Sequence, residues 1–160
     1  MIDFQLLREV EQFLYREARL ADDGDYDAWE ELWADDAIYW VPAGGDDIDP
    51  SRQMSIIFDN RSRLGLRVKQ LKTGKRHSQT PRSRTRRVIS NVELLEAGPD
   101  GDVVASANFV VYESRPRGTR TWAGRYQYRL RRTDTGWRMA RKDVFLVDND
   151  RPLPTMAFLI

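Results

Sequence analysis

The sequence has no cysteine and a single histidine, His77, among its 160 residues. Iron–sulfur clusters are held by thiolates, or by two thiolates and two imidazoles, and a mononuclear iron facial triad needs two histidines. Nearly all the usual zinc sites, and nucleophiles of the Cys-His and Ser-His types, are excluded for the same reason. We therefore expect no catalytic residue, cofactor or metal on this chain. His77 lies in a polar stretch, residues 72–84, whose composition predicts an exposed loop.

Long apolar runs and an excess of charge of one sign are also missing. No run of eighteen apolar residues occurs, and acidic residues interrupt the first helix, which argues against a membrane span and a signal peptide. The 26 lysines and arginines almost balance the 25 aspartates and glutamates, so the chain has no general attraction to nucleic acid or to an anionic membrane. We expect a soluble, cytoplasmic protein that binds neither.

What is present fits one α+β domain over residues 1–160, because 41% of the residues are hydrophobic and no linker or repeat interrupts them. Apolar residues at helical spacing predict a first helix over residues 6–21, and Asp25 is placed to cap a second over residues 26–33. A strand is predicted over residues 37–41, and a third helix over residues 61–72. The short apolar piece at residues 54–58 fits a strand or a helix.

The second half predicts a long, curved, mainly antiparallel sheet on which the helices pack. Apolar residues alternate over four stretches separated by short turns, residues 83–96, 103–114, 121–132 and 137–147. Val88, Val92 and Leu94 share one face of the first stretch, and Trp137, Met139 and Phe145 share one face of the last. Gly124, within an aromatic strand, predicts a bulge or a sharp bend.

Two parts of the sequence are candidates for subunit contact, a basic set on the third stretch and the apolar last residues. In the third stretch Trp122, Tyr126, Tyr128 and Leu130 alternate with a polar set, which consists of Arg125, Gln127, Arg129 and Arg131. We expect this set to form a surface between subunits, since arginine is favoured in interface ion pairs. The last residues, Phe158, Leu159 and Ile160, are apolar and need burial, either on their own sheet or against a partner.

Other arginines cluster at residues 82–87 and 115–120, and a nucleic-acid groove would be one interpretation. We favour a solvated or subunit-facing surface, because these arginines alternate with inward residues and acids elsewhere balance them.

Four stretches, in order along nearly the whole chain, resemble the small (β) subunits of aromatic-ring-hydroxylating (Rieske non-haem iron) dioxygenases. They are residues 13–20, 35–42, 83–92 and 136–142, and residues 49–62 resemble the benzoate and anthranilate branch. Where that family often has histidine this chain has Arg87, so a histidine-dependent role is not expected there. The order of helices and strands resembles the cone-shaped fold of nuclear transport factor 2.

The resemblance implies a non-catalytic structural subunit. In such systems a large α subunit holds the Rieske [2Fe–2S] cluster and the mononuclear non-haem iron, electrons come from NADH, and the aromatic ring is dihydroxylated. The two kinds of subunit form an α3β3 hexamer on a trimer of β subunits. The polar set of the third stretch, Arg125, Gln127, Arg129 and Arg131, is the expected trimer surface. The loops at residues 46–51 and 72–83 are the expected contacts with the α subunit.

The cone fold also hosts isomerases and dehydratases, so a stand-alone enzyme is the alternative function. It would use Asp36 as base and Tyr15 as acid, with Tyr126 or Tyr128 nearby. Walls formed by Trp33, Trp40 and Phe109 would raise the pKa of such a carboxylate. The other interpretation is that the aromatic residues are core and that Asp35 and Asp36 only end structure.

Overall fold

The computed structural model describes residues 1–73, 83–97 and 99–160. His77 and most of the predicted loop at residues 72–84 lie outside the described residues. Three helices cover one face of a six-stranded sheet, and the side chains between the two layers form the core.

The helices begin and end close to where the sequence predicts. The first, α1, spans Phe4–Asp23, with an Asp3 carboxylate oxygen accepting from the Leu6 amide at 3.0 Å and Gly24 ending it in the left-handed region. The second, α2, spans Tyr26–Glu30 after its cap, Asp25, and α3 spans Arg61–Thr73. The second helix is shorter than predicted because the Leu32 carbonyl accepts from the Met139 amide at 2.7 Å, which draws the chain into the sheet.

The strands are β1 (Trp33–Pro42), β2 (Ser55–Asn60), β3 (Arg84–Ala97), β4 (Val103–Arg115), β5 (Gly118–Thr133) and β6 (Gly136–Leu146). Their order across the sheet is β2-β1-β6-β5-β4-β3. All neighbouring strands are antiparallel except β1 and β6, which are parallel. The mainly antiparallel sheet is therefore confirmed, and the short piece whose type was open is a strand.

Two of the predicted strand faces are wrong, one in β6 and one in β3, because a bulge shifts the register of each strand. The register of β5 with β6 shifts by one residue at Ala140, so Met139 faces the core and Phe145 faces away from it, while Lys142 turns inward. In β3 the register with β4 shifts after Ser90, next to Asn91 with a φ of 53°. This shift leaves Val88 half exposed although Val92 and Leu94 pack against the core.

Gly124 does not mark a bulge, because the pairing of β4 with β5 continues unbroken through it. A Cβ atom on Gly124 would overlap the main-chain oxygen of Phe145. The position needs glycine because the neighbouring backbone approaches closely.

After β6 the chain continues as an irregular tail over residues 147–160, whose end lies in the core. Among the described residues, no helix combines the length and the apolar character that a membrane span requires.

Candidate functional site

A carboxylate lies at the centre of the molecule, between α1 and the sheet. Glu17 is 2% exposed and accepts hydrogen bonds from Trp29 Nε1 at 3.0 Å, from the Tyr128 hydroxyl at 3.1 Å and from Lys142 Nζ at 2.7 Å. It is buried because it lies on the apolar side of α1, in the stripe formed by Val10, Phe13, Leu14, Glu17 and Ala21. Three donors compensate for removing this charge from water.

The partner cation is equally enclosed. Lys142 is fully buried, and besides Glu17 its ammonium donates to the main-chain oxygen of Ile160 at 3.1 Å. It lies 4.2 Å from the centroid of the Tyr126 ring, which stacks on Phe109 at 4.0 Å. The charge of the Lys142 ammonium is therefore stabilised by an ion pair, by a main-chain oxygen and by the face of an aromatic ring. We define the buried polar centre as Glu17, Trp29, Tyr39, Tyr128, Lys142 and the main-chain oxygen of Ile160.

The electrostatics keep Glu17 ionised. Burial alone would raise the pKa of Glu17, but the charges of Lys142 and Arg87 and the hydrogen bonds outweigh it and hold this pKa below its ordinary value of 4.5. Burial lowers the pKa of Lys142 from its ordinary value of 10.5, against the attraction of Glu17. Burial also raises the pKa of Tyr128, which stays a donor. A carboxylate with a lowered pKa is poorly suited to act as a general base near neutral pH.

A second buried ion pair joins the end of α1 to β3. The Asp22 carboxylate accepts from Arg87 Nε and from the Arg87 amide, both at 2.9 Å, and from the Thr85 hydroxyl at 2.8 Å. Arg87 is 7% exposed, so its expected place on a solvated or subunit-facing surface is wrong. It points into the core because it precedes the bulge in β3 and alternates with the outward Val88.

The tail ends against these two pairs. The Tyr39 hydroxyl donates to the Ile160 carbonyl at 2.5 Å and accepts from the Ile160 amide at 3.2 Å, while Arg87 Nη2 donates to the Leu159 carbonyl at 2.7 Å. Leu159 and Ile160 are 3% and 0% exposed. Of the two alternatives for the apolar tail, docking on its own sheet is therefore the one observed. The side chains of Leu159 and Ile160 are thus buried in their own chain, and their expected part in a subunit contact stays a prediction.

The residues of the alternative enzyme do not meet. Asp36 faces outward with an exposed side chain and pairs with Arg131 at 2.8 Å, and the Arg131 hydrogen bond is the main cause of its lowered pKa. Tyr15 is 40% exposed on the outer side of α1. Trp40 also lies on the outer side of the sheet, 6.0 Å from Phe145, because it alternates with the inward Tyr39. Asp36 and Tyr15 therefore line no common pocket. Trp33, Trp40 and Phe109 do not together enclose a carboxylate, because Trp40 lies on the other side of the sheet.

Comparisons with known proteins agree with the resemblance. Residues 16–151 match the model of the family described as ring hydroxylating beta subunit. The chain belongs to this family.

Two relatives and one solved structure show how close the match is. This β subunit is 37% identical over 140 residues to the small oxygenase component of the p-cumate 2,3-dioxygenase system of Pseudomonas putida, covering 86% of this chain and 77% of the relative. It is 34% identical over 145 residues to the small subunit of anthranilate 1,2-dioxygenase of Acinetobacter baylyi, covering 88% of each. The crystal structure of the β subunit of benzoate 1,2-dioxygenase from Burkholderia mallei superposes with a TM-score of 0.76 at 32% identity, covering 92% of this chain and 93% of that one. The expected family and the cone-shaped fold are confirmed.

The outer face of the β subunit carries the other predicted site residues. Arg125, Gln127, Arg129 and Arg131 point away from the core along β5, as their alternation with buried residues predicts. We call these four residues the outer arginine face. Asp102, which is only 3% exposed, lies 3.2 Å from Arg129 and 3.3 Å from Arg131. Arg125 is exposed, with its guanidinium 5.2 Å from the centroid of the Phe145 ring.

One of the two predicted contact loops borders this face. Residues 44–48 and Arg125 line a surface groove of about 870 Å³, together with Phe145, Leu146, Val147, Asn149 and Asp150. Asn149 holds the loop by donating to the Asp46 carboxylate at 2.7 Å. The other predicted loop, residues 72–83, lies mostly outside the described residues.

Sequence reasoning missed most of the buried polar centre, although one signal was available. Glu17 occupies a position of the apolar stripe of α1, which is where a charged residue should be suspected of having a buried partner. Lys142 offered no comparable signal, because strict alternation from Met139 would direct it outward. Only the register shift at Ala140 turns it inward.

Proposed function

We propose that this chain is the non-catalytic, structural β subunit of a multicomponent aromatic-ring-hydroxylating dioxygenase. The family match over residues 16–151 carries this proposal. The large α subunit would hold the Rieske cluster and the mononuclear iron, and the two kinds of subunit would assemble as an α3β3 hexamer in the cytoplasm. NADH would supply the electrons for dihydroxylation of the ring.

The residues of this chain do not fit either iron group. Its sequence has no cysteine and one histidine, whereas these centres require thiolates or at least two imidazoles. Within the described residues no group of three or more His, Asp or Glu side chains is placed to hold a metal ion. The two acids at the centre of the molecule are already paired, Glu17 with Lys142 and Asp22 with Arg87. The reactive centre is therefore assigned to the partner.

Co-purification tests the proposal. The β subunit is expressed with a tag, alone and together with the α subunit, and each preparation is analysed for iron, subunit mass and ring oxidation. We expect the complex to contain all of the iron with three copies of each subunit, and the β subunit alone to be colourless, iron-free and inactive. Stoichiometric iron on the isolated chain, or oxidation or isomerisation of an aromatic compound by it, would contradict the proposal.

The outer arginine face and the groove beside it are the surface that we assign to subunit contact. This surface combines guanidinium groups, the ring of Phe145 and the loop residues 44–48, a mixture typical of interfaces. Arg125→Glu should weaken assembly, because it reverses an exposed charge within this surface. The matched control is Arg16→Glu, which reverses an exposed charge on α1. Equal assembly of both variants, measured by mass in solution, would remove this assignment.

For the substrate we propose a benzoate-type acid. Residues 49–62 resemble the benzoate and anthranilate branch, and two of the proteins compared above are named for benzoate and anthranilate. The purified complex should therefore oxidise benzoate or anthranilate faster than biphenyl. Preference for biphenyl would reject this substrate class while leaving the structural role intact.

A further inference from the structure

Two arginines at one end of the sheet carry charge that their own chain does not neutralise. Arg84 and Arg86 alternate with inward residues along β3, and both are exposed on the outer side of the sheet. Neither guanidinium has an ion pair or a hydrogen bond with the part of the chain that the structure describes. Of the two acids that line the same groove, Asp22 is bound by Arg87, so Asp23 offsets only one of the two guanidiniums.

An aromatic ring and two aliphatic side chains adjoin these arginines. Tyr112 lies opposite Arg86 in the pairing of β3 with β4 and is 48% exposed, and Val88, which is 52% exposed, lies opposite the half-buried Val110. Directly opposed residues share a face of a sheet, so these side chains form one surface. Arginine and tyrosine are enriched at the cores of protein interfaces. We call Arg84, Arg86, Val88, Val110 and Tyr112 the basic patch.

The loop between β1 and β2 has the complementary charge. Asp46, Asp47 and Asp49 are exposed there on either side of the half-buried Ile48. Asp49 pairs with Arg52 at 3.5 Å, but within the described ranges Asp46 and Asp47 have no cationic partner. We call residues 46–49 the acidic loop. Its charge and its single aliphatic side chain match the composition of the basic patch.

The acidic loop is held in place by its own chain. The Gly44 amide donates to the Asn149 carbonyl at 2.6 Å, and Asn149 Nδ2 donates to the Asp46 carboxylate at 2.7 Å. At the other end of the loop, the Ser51 hydroxyl and amide donate to Asp49 at 2.6 Å and 2.9 Å. A loop that is already ordered loses little conformational entropy when it binds.

We propose that the acidic loop of one copy of this chain docks on the basic patch of a second copy. The carboxylates of Asp46 and Asp47 then meet the two guanidiniums, and Ile48 lies against the aliphatic side chains of the patch. Because the loop and the patch are different surfaces, the contact is head-to-tail, which produces a ring when the rotation between copies closes. The inference rests on the proposed β-subunit assembly, and it gives the loop a second β subunit as partner in place of the expected α subunit.

Charge reversal of each surface tests the contact in the full chain. The patch variant combines Arg84→Glu with Arg86→Glu, and the loop variant combines Asp46→Arg with Asp47→Arg. Each should raise the dissociation constant of the oligomer, measured by sedimentation, by a factor of roughly ten or more, because like charges then face each other. The swapped chain, which has all four substitutions, should recover most of the lost association. A swapped chain that folds but stays dissociated would overturn the proposal.

The matched control is Arg16→Glu with Arg19→Glu, which reverses two exposed charges on α1 and should leave the dissociation constant unchanged. The association of the natural chain should also weaken at high salt, since exposed charges make the contact. This measurement needs no variant to fold. A dissociation constant that does not respond to salt, or a natural chain that is a single copy both alone and in the complex, would refute the proposal.

Mixing distinguishes a second copy from other partners. The natural chain and the swapped chain, carrying different tags, should form separate oligomers, because a mixed contact places acid against acid or base against base. Free mixing, or dissociation of the patch variant but not of the loop variant, would show that the patch meets another molecule. Co-purification of iron with the natural chain is measured separately. The docking surface can therefore fail this test while the structural role of the chain stands.

Discussion

Each face of the sheet holds a close ion pair, but the pair on the inner face is buried and the pair on the outer face is exposed to water. Inside, the side chains of Lys142 and Glu17 are 0% and 2% exposed and lie 2.7 Å apart. Outside, those of Arg131 and Asp36 are 34% and 64% exposed at nearly the same distance, 2.8 Å. Distance alone would rank the pairs as equals, but water screens only the outer one. The inner pair must therefore be kept complete, whereas the outer pair can be lost at little cost.

Breaking the inner pair should have the largest effect. Glu17→Gln keeps the shape of the side chain but leaves the Lys142 ammonium buried without its counter-ion. We expect the free energy of unfolding to fall by about 3–5 kcal/mol, as for other buried pairs from which one partner is removed. Urea unfolding followed by circular dichroism measures it. A loss below about 1 kcal/mol would show that the interior is better hydrated than its burial indicates.

Removing both charges should restore part of that loss. In the double variant Glu17→Gln and Lys142→Met, no uncompensated ammonium remains. The hydrogen bonds of Trp29 and Tyr128 are weakened, and the bond from Lys142 to the main-chain oxygen of Ile160 is lost. We expect the double variant to be less destabilised than the sum of the two single variants by roughly 1–3 kcal/mol. Additive losses in the double-mutant cycle would mean that Glu17 and Lys142 stabilise the fold independently.

The inner pair should also give the protein a specific sensitivity to acid. The pKa of Glu17 is lowered in the folded chain below 4.5, its ordinary value, so the unfolded chain takes up this proton first as the pH falls. The stabilisation from the ionised carboxylate is complete above about pH 4.5 and is lost as the pH falls through the folded pKa. The difference in unfolding free energy between the natural chain and Glu17→Gln should therefore shrink in acid. A constant difference would show that Glu17 does not titrate with folding.

The fold was predictable because its signals are local and repeated. The apolar stripe of α1, the cap at Asp25, and the alternation of Trp122, Tyr126 and Tyr128 each specify one element without long-range information. Alternation along β5 also identified the outer arginine face. The predicted strand faces were wrong where a bulge shifts the alternation of side chains by one residue, as at Ala140 and Asn91.

The buried polar centre was less predictable because its six members come from six different segments of the chain. Glu17 carried a signal on its own helix, but its contacts with Lys142 and Tyr128 depend on strand register. The contact of Lys142 with the main-chain oxygen of Ile160 depends on where the tail docks. Asp36 was misplaced for a related reason. An acid between two aromatic residues in sequence does not lie between them in space here, because the register of β1 shifts between Trp33 and Ile38 and leaves Asp36 exposed.

Disturbing the outer face should have the smallest effect on stability. In Asp36→Asn, Arg131 keeps its second partner, since Asp102 lies 3.3 Å away and is buried. We therefore expect a change in unfolding free energy below about 1 kcal/mol that shrinks further at high salt. Asp102→Asn is the matched comparison and should cost more, because one buried carboxylate holds both Arg129 and Arg131. If Asp36→Asn instead destabilised the chain as much as Glu17→Gln, exposure would not be what separates the two faces. Asp36 would then have to be enclosed in solution, as it would be beneath a partner subunit.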